Sequence, residues 1–419
     1  MAFDFSQRLA IDGGLRAKAS PFPPRRRHGD LEKRLLADVV DSGVLFYWLG
    51  TKVFELQRRV AALYGRKHAL ACSSGTAAVH IAVGALGLPA GAEVIVPAIT
   101  DMGSLTGVLY QGLVPVFADV EPDTLNIDPA SVARLAGSKT AAILAVHHAG
   151  LAADLEGLTG IAHEAGVPLI EDCAQAWGCE YRGRPAGTHG EIATFSLNHF
   201  KHIECGSGGL VATDDDRVRY RASLFLDKCF QREEGIRNPF FLAPNYQMTE
   251  LQGAVALAQL EKVEAIAARR NELGTRLSAM LAGCPGIATQ RIAAGSRHSY
   301  FLYLFRLDLD RLGCSADDFS RALAAEGVPN AAHLITGGRP VYLYDIFLKR
   351  SAFPGTQHPF APDRVYRPGD CPVAEAAFDT WITMNLYEEY RDTDVDEIGL
   401  AIGKVAWHMA RRATPGRRR

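Results

Sequence analysis

The sequence predicts an α/β protein: a mostly parallel sheet covered on both faces by helices, followed by a smaller α+β region. Three observations lead there. Between His68 and Thr213, short strand-like runs alternate with helical stretches. Those runs are apolar almost without a break, as strands buried on both faces must be. Past about Leu281 the pattern changes to an aromatic, alternating strand and separate helices. The chain is therefore expected to divide into an N-terminal arm (1–30), a large domain (31–264), a small C-terminal domain (265–412) and a disordered basic tail (413–419).

The elements follow in order. The first thirty residues are rich in Pro and Arg and carry no helical or strand period. Leu31 to Gly65 is mostly helical. The strand-like runs are His68–Ser74, Glu93–Pro97, Pro115–Val120, Ala141–His147, Pro168–Asp172, Ala193–Leu197 and Gly209–Thr213. Thr76–Leu86 and Asp154–Ala165 are helices between them. Met248 to about Leu281 reads as one long helix, rich in Ala, Leu, Glu and Arg at helical spacing. Ser299–Leu307 alternates as an antiparallel strand does. Ser315 opens a helix to Glu326, with Asp318 at the capping-box position. Asp394–Arg411 is the last helix. Gly337 to Pro372 is dense in Pro, Gly and aromatic residues, and so long a loop is usually functional.

Composition narrows the function classes. A chain of 419 residues is long enough for two cores. With 48% hydrophobic and 22% charged residues it is an ordinary soluble globule. A net charge of -2 provides no global basic field for nucleic acid or an anionic membrane. Arg25-Arg26-Arg27 and the tail from Arg411 read as solvated ends. No signal peptide is expected, and no apolar run is long enough to span a bilayer. The eight cysteines form no framework, and Cys173 and Cys179 are too far apart for a CxxC pair. Reduced thiols, a cytoplasmic location and no metal site are expected.

Three segments can carry chemistry. Ser73-Ser74-Gly75-Thr76-Ala77-Ala78 follows a strand and opens a helix, whose free N–H groups favour phosphate. The same residues are also good N-cap chemistry. Leu169-Ile170-Glu171-Asp172-Cys173-Ala174-Gln175 ends a strand in two carboxylates, where open α/β sheets place ligands. Such a carboxylate suits a cationic ring nitrogen, a metal or a helix cap. Ser196-Leu197-Asn198-His199-Phe200-Lys201 leads into Gly206-Ser207-Gly208-Gly209. Lys201 is either a surface lysine or, if poorly solvated, a neutral nucleophile able to form a Schiff base. Taken in order, a phosphate cradle, a strand-end carboxylate and a lysine are what pyridoxal 5'-phosphate (PLP) requires.

With these motifs the chain resembles the DegT/StrS family of PLP-dependent sugar and cyclitol aminotransferases, of the aspartate-aminotransferase fold (fold type I). The resemblance runs from about Val53 to Lys404. It includes Cys72 to Ala78, Glu93-Val94-Ile95-Val96-Pro97, Pro115 to Val120 with Asp123 to Asp128, Glu171 to Ala176, Ser196 to Lys201, and Asn245-Tyr246-Gln247-Met248-Thr249-Glu250-Leu251-Gln252. It implies a seven-stranded, mostly parallel sheet and PLP held as an internal aldimine on Lys201. Asp172 is implied as the pyridinium partner, Gln175 beside the ring hydroxyl, and Gly75, Thr76 and Ser196 at the phosphate, where the Ser74 hydroxyl can add a donor. Asn245 is implied to reach the phosphate of a neighbouring subunit, hence a homodimer with shared sites. His147 matches a family histidine whose role stays open. The implied reaction moves an amino group from glutamate or glutamine to a keto-sugar or keto-cyclitol.

Three departures bear on outcome. Asp101 stands where the family usually stacks an aromatic residue on the ring, with Met102 next to it as a substitute cover. Ser207 replaces the glutamate of Gly-Glu-Gly-Gly, and Gln247 replaces an arginine. A dehydratase, eliminase or other non-transaminating PLP enzyme is therefore the alternative reading, with a non-catalytic scaffold third. Family dehydratases carry histidine in place of the lysine; Lys201 disfavours that branch, and His199 and His202 read as packing or loop residues. The acceptor pocket is expected from the first forty residues, the Asp101 loop, Cys229 to Pro244 and His333 to Tyr344. Its candidates are Tyr47, Trp48, Lys228, Arg232, Arg237, His333 and Arg339.

Overall fold

A computed structural model describes residues 7–334, 337–360 and 364–413. The expected disordered tail lies, from residue 414, outside the described residues; Ala413 ends the last helix.

Two helices, α1 (Asp30–Ser42) and α2 (Lys52–Tyr64), precede the sheet. The sheet's strands are β1 (His68–Cys72), β2 (Glu93–Pro97), β3 (Val114–Ala118), β4 (Thr140–Val146), β5 (Leu169–Asp172), β6 (Ile192–Ser196) and β7 (Gly209–Thr213). Their spatial order is β1-β7-β6-β5-β4-β2-β3. Every neighbouring pair is parallel except those of β7, which runs antiparallel to both β1 and β6. The sheet is thus seven-stranded and mostly parallel, as the resemblance implied.

Helices α3 (Gly75–Leu86), α4 (Gly103–Tyr110), α5 (Pro129–Leu135), α6 (Leu155–Ala165) and α7 (Asp216–Leu226) alternate with the strands. Both faces are apolar. Val94, Val96, Leu144 and Val146 pack with α3 and α4, while Ile95, Ile143 and Ala145 pack with α2 and α6. This double burial explains the unbroken apolar runs.

The long helix expected from Met248 to Leu281 is two: α8 (Glu250–Leu260) and α9 (Val263–Leu281). They break at Glu261-Lys262, where Lys262 turns its ammonium to the main-chain oxygen of Arg27 (2.7 Å) and to Glu32. A tertiary contact overrides a helical composition there.

Beyond α9, strands β8 (Ile287–Thr289), β9 (Tyr303–Leu307), β10 (Ala331–Ala332) and β11 (Trp381–Met384) form an antiparallel sheet in the order β8-β9-β11-β10. One face, with Tyr303, Phe305 and Met384, packs on α9 and on the last helix (Asp392–Ala413). The other face, with Leu304 and Trp381, packs toward the large sheet. Ser315 caps Ala316–Ala325 through the capping box with Asp318.

The N-terminal arm is tied down along its described length. Leu9 is fully buried against α9 and the last helix. The Glu326 carboxylate accepts from the amides of Ala10 (2.8 Å) and Ala17 (2.9 Å) and pairs with Lys404. Lys18 is buried against Asp394 at 2.9 Å. Among the described residues, no helix is long and apolar enough to cross a membrane.

Candidate active site

The C-terminal ends of the parallel strands meet at one edge of the large sheet, and a cavity of about 630 Å³ lies there, facing the small sheet. Its floor follows strand order. Ser74-Gly75-Thr76 come after β1, Ser196 ends β6, Asp172 ends β5, His148 follows β4, and Asp101 follows β2.

Ser74 is the N-cap of α3, its Oγ accepting from the Ala77 amide at 3.0 Å. The turn is closely packed. A Cβ on Gly75 would lie 2.7 Å from the Ser196 Cβ, and one on Gly209 would lie 2.2 Å from the Ser74 oxygen. Only glycine lets the helix end approach β6 this closely. The N-cap reading of this segment is therefore met, and the same turn leaves the α3 N-terminus open to the cavity.

Alternation along β5 sends its two terminal acids to opposite faces. Glu171 is fully buried and accepts from the amides of Gly187 (2.7 Å), His189 (2.7 Å) and Gly190 (2.6 Å). His147 lies beside it, with Nε2 at 3.1 Å, while its Nδ1 accepts from the Ala153 amide. Burial alone would raise the Glu171 pKa, but the hydrogen bonds from His147, Gly190 and Gly187 hold it down to about 2. His147, Glu171 and Cys173 are close enough to hold a metal, yet the Glu171 oxygens are already committed to the backbone. Asp172 faces the cavity. Its Oδ2 accepts from Ser104 Oγ at 2.7 Å and its Oδ1 from the Ala174 amide at 3.0 Å.

Lys201 sits at the tip of the connection from β6 to β7, clamped by bonds from Leu197 N to Gly208 O (2.8 Å) and from His199 N to Gly206 O (3.1 Å). Its ammonium lies 4.6 Å from the centre of the Phe301 ring. Burial lowers its pKa; the Asp172 and Asp101 carboxylates oppose this without cancelling it. Lys201 is therefore not the freely solvated surface lysine that its local sequence allows.

A second support was not legible. The Arg25-Arg26-Arg27 cluster, expected to be a solvated end, is structural. The Arg27 guanidinium donates to the main-chain oxygens of His199, Lys201 and His202. The Arg27 oxygen in turn accepts from Gln259 Nε2 at 2.6 Å. Arg25 stacks over the Tyr387 ring at 3.7 Å.

A family model describing the DegT/DnrJ/EryC1/StrS aminotransferases matches residues 27–403. The chain belongs to that family. Among solved structures it is similar to 3-amino-5-hydroxybenzoic acid (AHBA) synthase, at 28% identity and TM-score 0.81, over 93% of this chain and 100% of that one. It is also similar to DesI, solved in the presence of its TDP-sugar product, at 27% identity and TM-score 0.79, over 97% and 99% of the two chains. GDP-4-keto-6-deoxy-D-mannose-3-dehydratase from E coli shares the fold at 22% identity and TM-score 0.79, over 91% and 99%.

The cofactor of the family is PLP, and the residues present fit it. A tight glycine turn at a helix N-terminus suits its phosphate. A buried carboxylate suits a protonated ring nitrogen, and a desolvated amine suits its aldehyde. Ser74, Gly75, Thr76, Asp101, Asp172, Gln175, Ser196 and Lys201 all line the one cavity. Gln175 is held by the Ala149 amide at 2.7 Å. Asn245 does not line it; it is exposed and lies on a segment bridged to Asp227. Asp101 turns back to cap α4, its Oδ1 accepting from the Gly103 amide at 2.7 Å. Met102 is partly buried against the core and is not among the residues that line the cavity.

The expected acceptor residues mostly lie elsewhere. Tyr47, Trp48 and Arg232 line a second cavity. Arg232 and Lys228 are paired with the buried Asp227. His333 bonds Asp317 and the Phe378 oxygen, and Arg339 faces Asp345. Of the flanking histidines, His202 is buried with Nε2 3.0 Å from the Ser299 oxygen, and His199 is exposed near Glu204. Residues supplied by the small sheet and its borders, Phe301, Leu302, Leu304, Thr383, Asn385 and Tyr387, were missed. They are remote in sequence and carry no motif.

Proposed function

We propose that this protein is a PLP-dependent aminotransferase that moves an amino group from glutamate or glutamine to a keto-sugar or keto-cyclitol. The observation that carries this reading is the convergence of Lys201, Asp172 and the α3 N-terminus on one cavity. PLP, when bound, supplies an electrophilic aldehyde carbon and a ring that accepts the electron pair left by a departing Cα proton. Lys201 Nζ, favoured in its neutral form by burial, is the amine for that aldehyde and, when released, a base that carries a proton between carbons. The Asp172 carboxylate keeps a proton on the ring nitrogen, and Ser104 and the Ala174 amide hold that carboxylate in place. The helix end at Gly75-Thr76, with Ser74 and Ser196, holds the phosphate.

The working unit is a homodimer, with Asn245 reaching the partner's cofactor phosphate, and the protein acts in the cytoplasm. The exposed position of Asn245 outside its own chain's cavity supports the shared site.

One feature favours a second reading, a dehydration or elimination on the same scaffold: Asp101, which lines the cavity near Lys201, stands in the sequence where the family usually has a stacking ring. The test is incubation of the PLP-loaded protein with glutamate or glutamine. Transamination predicts release of the matching keto acid and loss of the visible cofactor band. No conversion with any amino acid would refute it in favour of the second reading.

A further inference from the structure

The cavity contains polar groups that the proposed chemistry does not use. His148 is only 5% exposed and lines the cavity beside Lys201. Neither its Nδ1 nor its Nε2 has a hydrogen-bond partner among the described residues. Thr383, only 3% exposed, lines the same cavity, and its Oγ1 is likewise without a partner. Buried polar atoms are almost always bonded, and leaving one unbonded costs stability. Two such side chains in one cavity mark the place where a ligand completes them.

The two are linked through β9 and the residue before it. The Leu302 amide donates to the Ala149 oxygen at 3.2 Å, which joins the residue before β9 to the residue after His148. Leu304 is the direct cross-strand partner of Thr383 on β11. Paired residues of an antiparallel ladder share a face, so Leu304 and Thr383 point the same way. Leu302, Leu304 and Leu334 line this side of the cavity. Beyond Thr383, Asn385 and Tyr387 follow at a spacing of two and line it as well.

The chemistry selects the ligand class. Burial, with the nearby Lys201 adding to it, pushes the His148 imidazole down to about 4, so it is neutral near pH 7. A neutral imidazole has one donor and one acceptor, and a threonine hydroxyl has both. That set matches hydroxyl groups. Among the described lining residues the only cation is Lys201, which suits neither a phosphate nor a carboxylate in this recess. The strand order also sets a distance. His148 follows β4, two strands from Ser196 on β6, which is on the order of 10 Å across the sheet. The recess is therefore on the far side of the cavity from the phosphate cradle.

We infer that His148 and Thr383 read the hydroxyl groups of an uncharged, polyhydroxylated ring that carries the reacting ketone. This rests on the aminotransferase reading above and deepens it.

The probes are 2-keto-myo-inositol and cyclohexanone, the same ring with and without hydroxyls. Calorimetry reports their binding to the PLP-loaded protein, and a single turnover of the aminated protein reports their reaction. The wild type is expected to prefer the hydroxylated ring by at least about 100-fold. His148→Leu and Thr383→Val should each cut that preference by about 5–10-fold, and the pair should bring it within about fivefold of unity. The melting temperature of the variants should stay level or rise, since each removes an unbonded buried group.

A wild type that does not discriminate, or variants that keep its preference, overturns the inference. So does a shifted pH midpoint of the visible cofactor band in His148→Leu with ring preference unchanged, because the imidazole would then serve the cofactor's own hydroxyl. Hydroxyl-dependent binding that His148→Leu abolishes, without any turnover, upholds the inference and sinks the aminotransferase reading alone.

Discussion

Replacing Arg27 with alanine removes three hydrogen bonds from a guanidinium to the main-chain oxygens of His199, Lys201 and His202. Bonds to a charged group contribute roughly 1.5–3 kcal/mol each where water is excluded. Arg27 is only half-buried, so the freed oxygens regain water and each loss shrinks to about 1 kcal/mol. The total is about 2–3 kcal/mol, or roughly 30- to 150-fold in an equilibrium constant. The loss falls on the loop that presents the Lys201 amine. It should therefore appear as weaker cofactor retention and as faster amide exchange at residues 199–202. Titration of the cofactor-free protein with PLP measures the first, and hydrogen exchange read by mass spectrometry measures the second. Arg27→Lys should recover about a third of the loss, because a single ammonium cannot span three oxygens. An Arg27→Ala protein with wild-type PLP affinity and unchanged exchange at 199–202 would refute the reasoning.

Three further outcomes are expected. Asp172→Asn should lower turnover by about 10²–10³-fold while barely moving the melting temperature, since the amide keeps the shape but not the charge that holds a ring proton. Glu171→Ala should cost about 3–5 kcal/mol of stability, seen in a denaturant melt, because it strands the buried amides of Gly187 and Gly190 and the part-buried amide of His189. In the cofactor-free protein the Lys201 pKa is lowered by burial, so below the ordinary lysine value of 10.5 the unfolded chain binds the proton more tightly. That contribution penalises folding at neutral pH and fades as pH rises toward 10.5. Cofactor-free Lys201→Met should thus melt higher than wild type at pH 7, with the gap narrowing on the alkaline side; a constant gap would contradict the linkage.

The sheet was legible because its strands are buried on both faces, and the observed starts and ends fall close to those expected. Glu93–Pro97 and Gly209–Thr213 match to the residue. The helix break at Glu261-Lys262 was not legible. It has no Pro or Gly to announce it, and its cause is a lysine reaching back to residues 27 and 32. Alternation on β5 required Glu171 and Asp172 to face opposite ways, but only the packed sheet decides which acid meets the cavity. The same holds for His147 and His148, adjacent residues of one type, of which the first is bonded in the core and the second lines the cavity. Arg27 acts on a loop about 170 residues away, and Thr383 pairs with Leu304 across about 80. No local pattern encodes contacts of that span.

The strapped arm has a consequence for the order in which the protein can mature during synthesis. Lys18 is completed by Asp394, Gln7 by His408 and Asp12 by Arg412. A ribosome adding about 5–20 residues per second needs roughly 20–80 s to travel from the first member of such a pair to the second. For that interval the large sheet can form while the outer end of the arm, residues 7–18, lacks these partners. Arg27 is different: its partners lie at residues 199–202 and at Gln259 and Lys262, so its clamp on the Lys201 loop can close well before the outer end of the arm is seated.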